Sequence, residues 1–533
     1  MEVKNDYRQT YHANVPAAWS NDPNGMIWYQ GKAHLFCQYY PYKPQWGQMH
    51  WGHFVSEDLI HWEFLPIALV PDQNYEAICG CCSGSAMEID GKLWLMYTAA
   101  QPDLQRQCLA WSDDGIHFQK HPDNPVLNSD LLHDIISPRD FRDPKLFGKD
   151  DYYYCLAGIR AIDHDLYHEG VVAMTSYKSD QEEAFTHDMS NLNPSRGLSP
   201  EENPSVIAVL GGDDKAIGLG NLVLFRSRDL EEWEFLGLLL DKQPGFDDAF
   251  FNLKGVYECP DYFLLDGKEV ILASPQNLPQ TGTRFQNLHS VIYMTGKMDF
   301  ETGHFELEAI EDLDSGFDIY ASQTLAMPDG RRVMIAWKEM WDRSYPTEAH
   351  NWVGSYTLPR ELSYKDGHLY QTPIREIEAC RHNKVEVQDL ELGEEAKVIK
   401  GFKGRTIELE AGFVLEKAGS AGIRLFKGRT HQTEIRYDRA SGRVCFDRTR
   451  SGVTLTGKES DVNVRYCQVG DCENISLRIF LDISSVEVFI NGGRYTMTGN
   501  VYPDPEDDGI EFFGSEGVTL ARAVKYDIVA DPV

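Results

Sequence analysis

A heptad recurs along the first half of the chain. Ser56-Glu57-Asp58-Leu59-Ile60-His61-Trp62 is followed by Ser112-Asp113-Asp114-Gly115-Ile116-His117-Phe118 and by Ser227-Arg228-Asp229-Leu230-Glu231-Glu232-Trp233. Their starts lie 56 and 115 residues apart, the second step near twice the first. Weaker traces lie around 179–185 and 296–305. The repeated unit is made of strands. Segments 26–29 and 33–40 flank Gln30-Gly31-Lys32, 87–89 and 93–98 flank Asp90-Gly91-Lys92, 145–147 and 152–157 flank residues 148–151, and 262–265 and 269–274 flank Asp266-Gly267-Lys268. Each reads as a hairpin with Gly in its turn. Self-similarity at such a period in strand-rich sequence predicts propeller blades. Five blades of roughly 70 residues would fill 1–365.

The pattern loosens and turns polar over 366–395, as in a connector. From 396 to 533 alternation returns, in Thr406-Ile407-Glu408-Leu409-Glu410, Gly422-Ile423-Arg424-Leu425-Phe426 and Ser485-Val486-Glu487-Val488-Phe489-Ile490. Asn491-Gly492-Gly493 is a hairpin turn. Strands every 8–15 residues without a helical period predict a β-sandwich. The fold class is therefore all-β, a five-bladed propeller followed by a C-terminal sandwich. Short helices are placed at 129–136 and 181–187.

Charge and cysteine content narrow the function. Lys and Arg number 50 against 83 Asp and Glu, a net charge of −33, which repels nucleic acid and anionic membranes. No run reaches the eighteen or so apolar residues of a membrane span. The first nine residues carry no apolar core or cleavage pattern, so a cytoplasmic location is expected. The 11 cysteines are scattered and odd in number, which suits reduced thiols. Cys79, Cys81 and Cys82 cluster, but no second Cys or His pair stands at zinc-finger spacing, so no metal is expected.

Three carboxylates stand in rigid frames. In Trp19-Ser20-Asn21-Asp22-Pro23-Asn24-Gly25, Pro23 restricts Asp22 to extended backbone, and Asn24-Gly25 reads as a turn. Asp22 is then an immobilised acid at the tip of an early strand, with Trp19 as an aromatic wall. Phe141-Arg142-Asp143-Pro144 repeats the Asp-Pro device, with Arg142 to keep the acid ionised. Tyr257-Glu258-Cys259-Pro260 sets a Glu between an aromatic and a stiffened chain. The spacings, 121 and 115 residues, read as about two blades each. Inner strands of a propeller point at one axial funnel, so acids from different blades can converge there.

These motifs, in this order, resemble those of glycoside hydrolase family 32, the β-fructofuranosidases. Further likeness lies in Gln38 within Phe36-Cys37-Gln38-Tyr39-Tyr40-Pro41, in the stretch from Trp46-Gly47 to Trp51-Gly52-His53, in Ser83-Gly84-Ser85, and in Asp318-Ile319-Tyr320-Ala321-Ser322-Gln323-Thr324. It continues in Leu358-Pro359-Arg360-Glu361-Leu362 and in the stretch 480–489 of the sandwich. The resemblance covers nearly the whole chain. It implies Asp22 as nucleophile, Glu258 as general acid/base, and Asp143 as the acid that grips fructose hydroxyls and steadies the transition state. Asn21, Gln38, Trp46, Cys82, Ser83, Arg142 and Trp337 are implied in sugar binding. No cofactor is implied.

The implied activity is retaining, exo-acting hydrolysis of sucrose, sucrose 6-phosphate or short fructo-oligosaccharides. The partner is a small sugar, and the chain a monomer or homodimer. A fructosyltransferase using the same acids, or a non-catalytic sugar-binding propeller, is the alternative. Such a reaction leaves positive charge on an anomeric carbon. One ionised acid attacks it while one protonated acid gives its proton to the leaving oxygen. The sequence departs from the family's pattern at Cys82, where an aromatic is usual, at Tyr257, where Trp is usual, and at Ile319, where Phe is usual. His50, His53 and His61 sit in aromatic settings that suggest packing or loop roles. Asp482 and Glu487 read as a solvated or interface pair.

Overall fold

A computed structural model describes residues 3–101, 104–129, 135–161, 218–416, 419–457 and 462–530. Five antiparallel sheets form the first part, and two six-stranded sheets the second. The innermost strands of the five sheets are Ala18–Tyr29, Gly80–Ile89, Ile136–Lys149, Tyr257–Leu265 and Tyr320–Ala326. Each contacts the next, and the fifth contacts the first, so the ring closes. Trp352 and Val353 add to the closure by pairing in parallel with Ala18 and Trp19.

The inner hairpins are buried on both faces, because each blade packs between two others. Lys32–Tyr40 is buried from its second residue onward, which is why this segment shows no clean alternation. Glu63–Leu69, the outer strand of the same blade, is only partly buried. In the sandwich one face of each sheet meets the other, and alternation is visible, as along Asn474–Asp482. Segments 406–410, 422–426 and 485–490 all lie in its strands.

The heptads are the connections from the third to the fourth strand of blades 1, 2 and 3. In the first, Ser56 Oγ accepts from Leu59 N at 2.8 Å, Asp58 Oδ1 from Ile60 N and His61 N at 3.0 and 2.8 Å, and Trp62 Nε1 donates to Leu59 O. The fourth residue of each heptad, Leu59, Gly115 or Leu230, is left-handed. These bonds recur in the third heptad, so the repeat records a side-chain-capped turn. The 296–305 trace is the matching turn of blade 4, where Asp299 Oδ1 accepts from Glu301 N at 2.9 Å.

The step of 115 residues is therefore one blade. Its excess is the long stretch between the second and third strands of blade 3, Tyr152–Ala161 and Leu219–Ser227. The 179–185 trace and the helix expected at 181–187 lie outside the described residues, as does most of 129–136. The 366–395 stretch is not a connector. His368–Pro373 is the outer strand of blade 5, Arg375–Cys380 is a 3₁₀ turn, and Arg381–Glu391 is the edge strand of one sandwich sheet. Its polarity reflects edge positions, where one side of the strand faces solvent.

Candidate active site

The five innermost strands each break register with their neighbour at the same depth. The shifts fall between Ser20 and Pro23, Cys82 and Gly84, Arg142 and Lys145, Glu258 and Asp261, and Tyr320 and Gln323. A bulge re-aims the side chain beside it. It also tolerates proline, which has no N–H for the ladder. The three framed acids lie at these bulges, Pro144 and Pro260 fall inside them, and Pro23 stands at the end of the first, in register with Cys37. Asp143 and Cys259 are held at φ +61° and +48°, strained values for non-glycine residues. Asn24-Gly25 is not the turn expected from its sequence. Gly25, at φ +53°, is a kink inside the 12-residue strand Ala18–Tyr29. Asp22 therefore sits within a strand, not at its tip.

Asp22 is 7% exposed. Its Oδ2 accepts from Ser83 Oγ at 2.6 Å and from Gln38 Nε2 at 3.1 Å, and Asn21 Nδ2 lies 3.1 Å from Oδ1. Burial pushes its pKa up, the Ser83 bond opposes this, and the charge of Glu258 adds to the rise. Asn21 Oδ1 accepts in turn from Trp19 Nε1 at 2.8 Å. Asp143 is buried as well, and its Oδ2 accepts from the Cys259 N–H at 3.0 Å. Burial and then the Glu258 charge raise its pKa, while Arg142 lowers it. The Cys259 sulfur lies 3.6 Å from Asp22 Oδ2 and 3.7 Å from Asp143 Oδ2, so one thiol touches both carboxylates.

Arg142 keeps the role toward Asp143 that its sequence position suggests and adds a second one. Its Nε donates to Glu258 Oε1 at 2.9 Å, and its Nη1 to Asp140 Oδ1 at 3.0 Å. It favours an ionised Asp143 through space, while its hydrogen bonds orient Glu258. The sequence assigns Tyr320 no role, because a Tyr between Ile319 and Ala321 carries no chemical signal. Its hydroxyl lies 2.5 Å from Glu258 Oε2 and 3.0 Å from Ser274 O. A phenol has one proton. When it donates to Ser274 O, the contact with Glu258 needs the proton on Glu258. When Glu258 is ionised, the phenol can turn to it. Tyr320 can thus accommodate both states of that acid.

Gln38, Ser83 and Arg142 are buried beside the acids. Among the described residues the buried Nε1 atoms of Trp46 and Trp337 have no hydrogen-bond partner, and such donors suit a polar ligand. Trp337 is fully covered and packs on Trp19 and Trp341. The Cys82 thiol packs with Cys79, Ala100 and Ile78, and its carbonyl accepts from Trp51 Nε1 at 3.0 Å. His53 stacks on Phe36 and His61 holds Asp58. His50 bonds to Gln48 O. Among the described residues two His-carboxylate groups, His121/Asp123/Glu231 and His431/Asp504/Asp507, are close enough to share a cation. Neither includes a residue of the funnel.

Buried acids drawn together from three blades, two within reach of the same sulfur, suit the acid chemistry of a glycoside hydrolase. The chain belongs to glycosyl hydrolases family 32. The sequence model of that family's N-terminal domain matches residues 12–199 and 198–373, and that of its C-terminal domain matches 376–528. A sucrose-6-phosphate hydrolase of Zymomonas mobilis is 32% identical over 98% of this chain and 92% of its own. A raffinose invertase of Escherichia coli is 30% identical over 96% and 93%. Among solved structures, the sucrose-6-phosphate hydrolase of Lactobacillus gasseri superposes with a TM-score of 0.78 at 29% identity, covering 98% of this chain and 93% of that one. A β-fructofuranosidase of Bombyx mori gives 0.74 at 31%, covering 99% and 95%.

Proposed function

We propose that the protein is a retaining, exo-acting β-fructosidase that hydrolyses sucrose, sucrose 6-phosphate and short fructo-oligosaccharides. The observation that carries this reading is the convergence of Asp22, Asp143 and Glu258 on bulges of three different blades. Asp22 attacks the anomeric carbon of the fructosyl unit. Oδ2 is held twice, by Ser83 and Gln38, and Oδ1 only by Asn21, so Oδ1 is the attacking oxygen. The glycosidic bond breaks, its electron pair goes to the leaving oxygen, and Glu258 supplies the proton. A water then attacks the anomeric carbon of the fructosyl ester and gives its proton to Glu258, the bond from that carbon to the Asp22 oxygen breaks, and Asp22 leaves as carboxylate. Asp143 holds fructose hydroxyls. Asn21, Gln38, Trp46, Cys82, Ser83, Arg142 and Trp337 shape the fructose pocket. Eleven cysteines, ten of them buried, fit a reducing, cytoplasmic compartment.

The test compares rates on sucrose, sucrose 6-phosphate, kestose and inulin, with the first product followed by NMR. The reading expects higher kcat/KM on the small sugars than on long inulin, with β-fructose released first. Preference for inulin removes the substrate assignment, and α-fructose as first product removes the retaining mechanism.

A further inference from the structure

We infer that the sandwich takes part in catalysis, with Arg448 as a positioning residue that holds Tyr320 against Glu258. The inference rests on the acid/base role given to Glu258 above.

The link runs through a short segment between blades 4 and 5. Tyr495–Asn500 is the edge strand of one sandwich sheet. Residues 315–318 of the propeller lie along it. Ser315 N donates to Thr496 O at 2.9 Å, and Phe317 N and Asp318 N donate to Thr498 O at 2.7 and 3.2 Å. Gly316 has to be glycine here, since a Cβ would overlap the Thr498 backbone. The propeller segment thus occupies an edge that would otherwise be unpaired.

Asp318 is fully buried. Arg448 Nη1 donates to its Oδ2, as does Asn500 N at 2.8 Å. Arg448 is itself fixed from the sandwich side, by Asn500 O at 2.8 Å and by Val462 O at 2.8 and 3.1 Å. Its guanidinium lies 3.9 Å over the Phe317 ring. Arg343 Nε stands 3.4 Å from the other Asp318 oxygen. The clamp therefore grips Phe317 and Asp318 on ring, backbone and carboxylate.

Only Ile319 separates Asp318 from Tyr320, the first residue of the innermost strand of blade 5. Consecutive Cα atoms are about 3.8 Å apart, so the clamp fixes the backbone immediately before Tyr320, while Ser274 holds the residue after it. That hydroxyl is 2.5 Å from Glu258 Oε2. Hydrogen-bond strength falls steeply with misplacement, and proton transfer to the leaving oxygen depends on where Glu258 is held.

The experiment uses the full chain with Arg448→Met, Arg448→Lys, Tyr320→Phe, the Arg448→Met/Tyr320→Phe double variant and Glu258→Gln. Each is assayed on sucrose and on a fructoside with an activated phenol leaving group, with thermal stability measured alongside. Arg448→Met is expected to lower kcat on sucrose about ten-fold or more at little changed KM, and to lower the phenol-substrate rate about three-fold or less, since that leaving group needs no proton. Arg448→Lys restores most of the sucrose rate. The double variant falls no further than Tyr320→Phe, the non-additivity expected of groups acting through one contact. If Arg448→Met fails to fold, Arg448→Met/Asp318→Asn, which removes both buried charges, takes its place in the same measurements. A folded variant with reduced stability but unchanged sucrose kcat and unchanged substrate ratio overturns the clamp. So do losses that simply multiply in the double variant. Full sucrose turnover in Glu258→Gln overturns the acid/base assignment itself, an outcome distinct from the other two.

Discussion

The backbone N–H of Cys259 donates to Asp143 Oδ2 at 3.0 Å. The residue that follows Glu258 therefore anchors the carboxylate facing it from the neighbouring blade. Any change in the left-handed turn at Cys259 moves two acids at once. The active site is a coupled unit, and substitutions in it are expected to act non-additively.

Asp22→Asn is expected to abolish nearly all hydrolysis and leave the fold intact. The amide is isosteric and keeps an acceptor for Ser83, but it is no nucleophile. Turnover on sucrose together with circular dichroism checks this. Near-normal turnover in a verified variant removes the assignment.

Glu258→Ala is expected to lose roughly 10²–10⁴-fold on sucrose, the range for a lost general acid. A fructoside with an activated phenol leaving group suffers less in the first step. The ester then resolves slowly, and added azide intercepts it as a fructosyl azide detectable by mass spectrometry. Equal losses on both substrates in single-turnover kinetics count against the role.

Ser83→Ala is expected to move the acid limb of the pH–rate profile upward. Burial already raises the Asp22 pKa, and the Ser83 bond is the main influence opposing that rise. A donor to the ionised form favours ionisation, so its loss makes the nucleophile protonate at higher pH. An acid limb that stays in place, measured as kcat/KM against pH, contradicts the assignment of Ser83.

The junction between propeller and sandwich carries a buried charge cluster. His12 lies 2.7 Å from Asp482 and 2.9 Å from Glu487, and Arg360 donates to Glu487 at 2.7 Å. The pair read from sequence as solvated or interfacial is an interface pair, with no exposure. Burial pushes Glu487 up, but Arg360 and then His12 and Lys338 hold it well below the usual carboxylate range. A depressed carboxylate contributes stability above its unfolded pKa of about 4.3 and loses it as pH falls toward its folded value. Glu487→Gln is expected to cost about 3–5 kcal/mol at neutral pH, as for breaking a buried pair. The gap from wild type should narrow below about pH 4. Urea denaturation at several pH values checks both parts.

Thiol accessibility is a separate test. Cys472 is the one half-buried cysteine, and the other ten are buried. Ellman's reagent is expected to titrate about one thiol in the native protein and all 11 after denaturation. Several unreactive thiols in the denatured, unreduced protein would indicate disulfides.

Local chemistry made much of this protein legible in its sequence. Gly-centred hairpins set strand pairing, because left-handed turn positions favour glycine and so mark themselves. The heptads marked blade edges because Ser and Asp side chains cap one particular turn. Asp22 and Asp143 were legible because the proline after each constrains its backbone, and Glu258 because Pro260 stiffens the chain two residues on. The blade count between Asp143 and Glu258 was not legible, because an insertion within blade 3 mimics a further repeat when only spacing is seen. The partner of Arg142 was hidden too. Sequence places Arg142 beside Asp143, but adjacent strand residues point apart, and the guanidinium reaches Glu258 on the next blade. The roles of Tyr320 and Arg448 were not legible, since their contacts join residues 62 and 130 positions apart. Sequence determines which backbone shapes each segment can adopt. Which side chains then meet in the funnel is decided by closure of the ring and by packing of the sandwich against it.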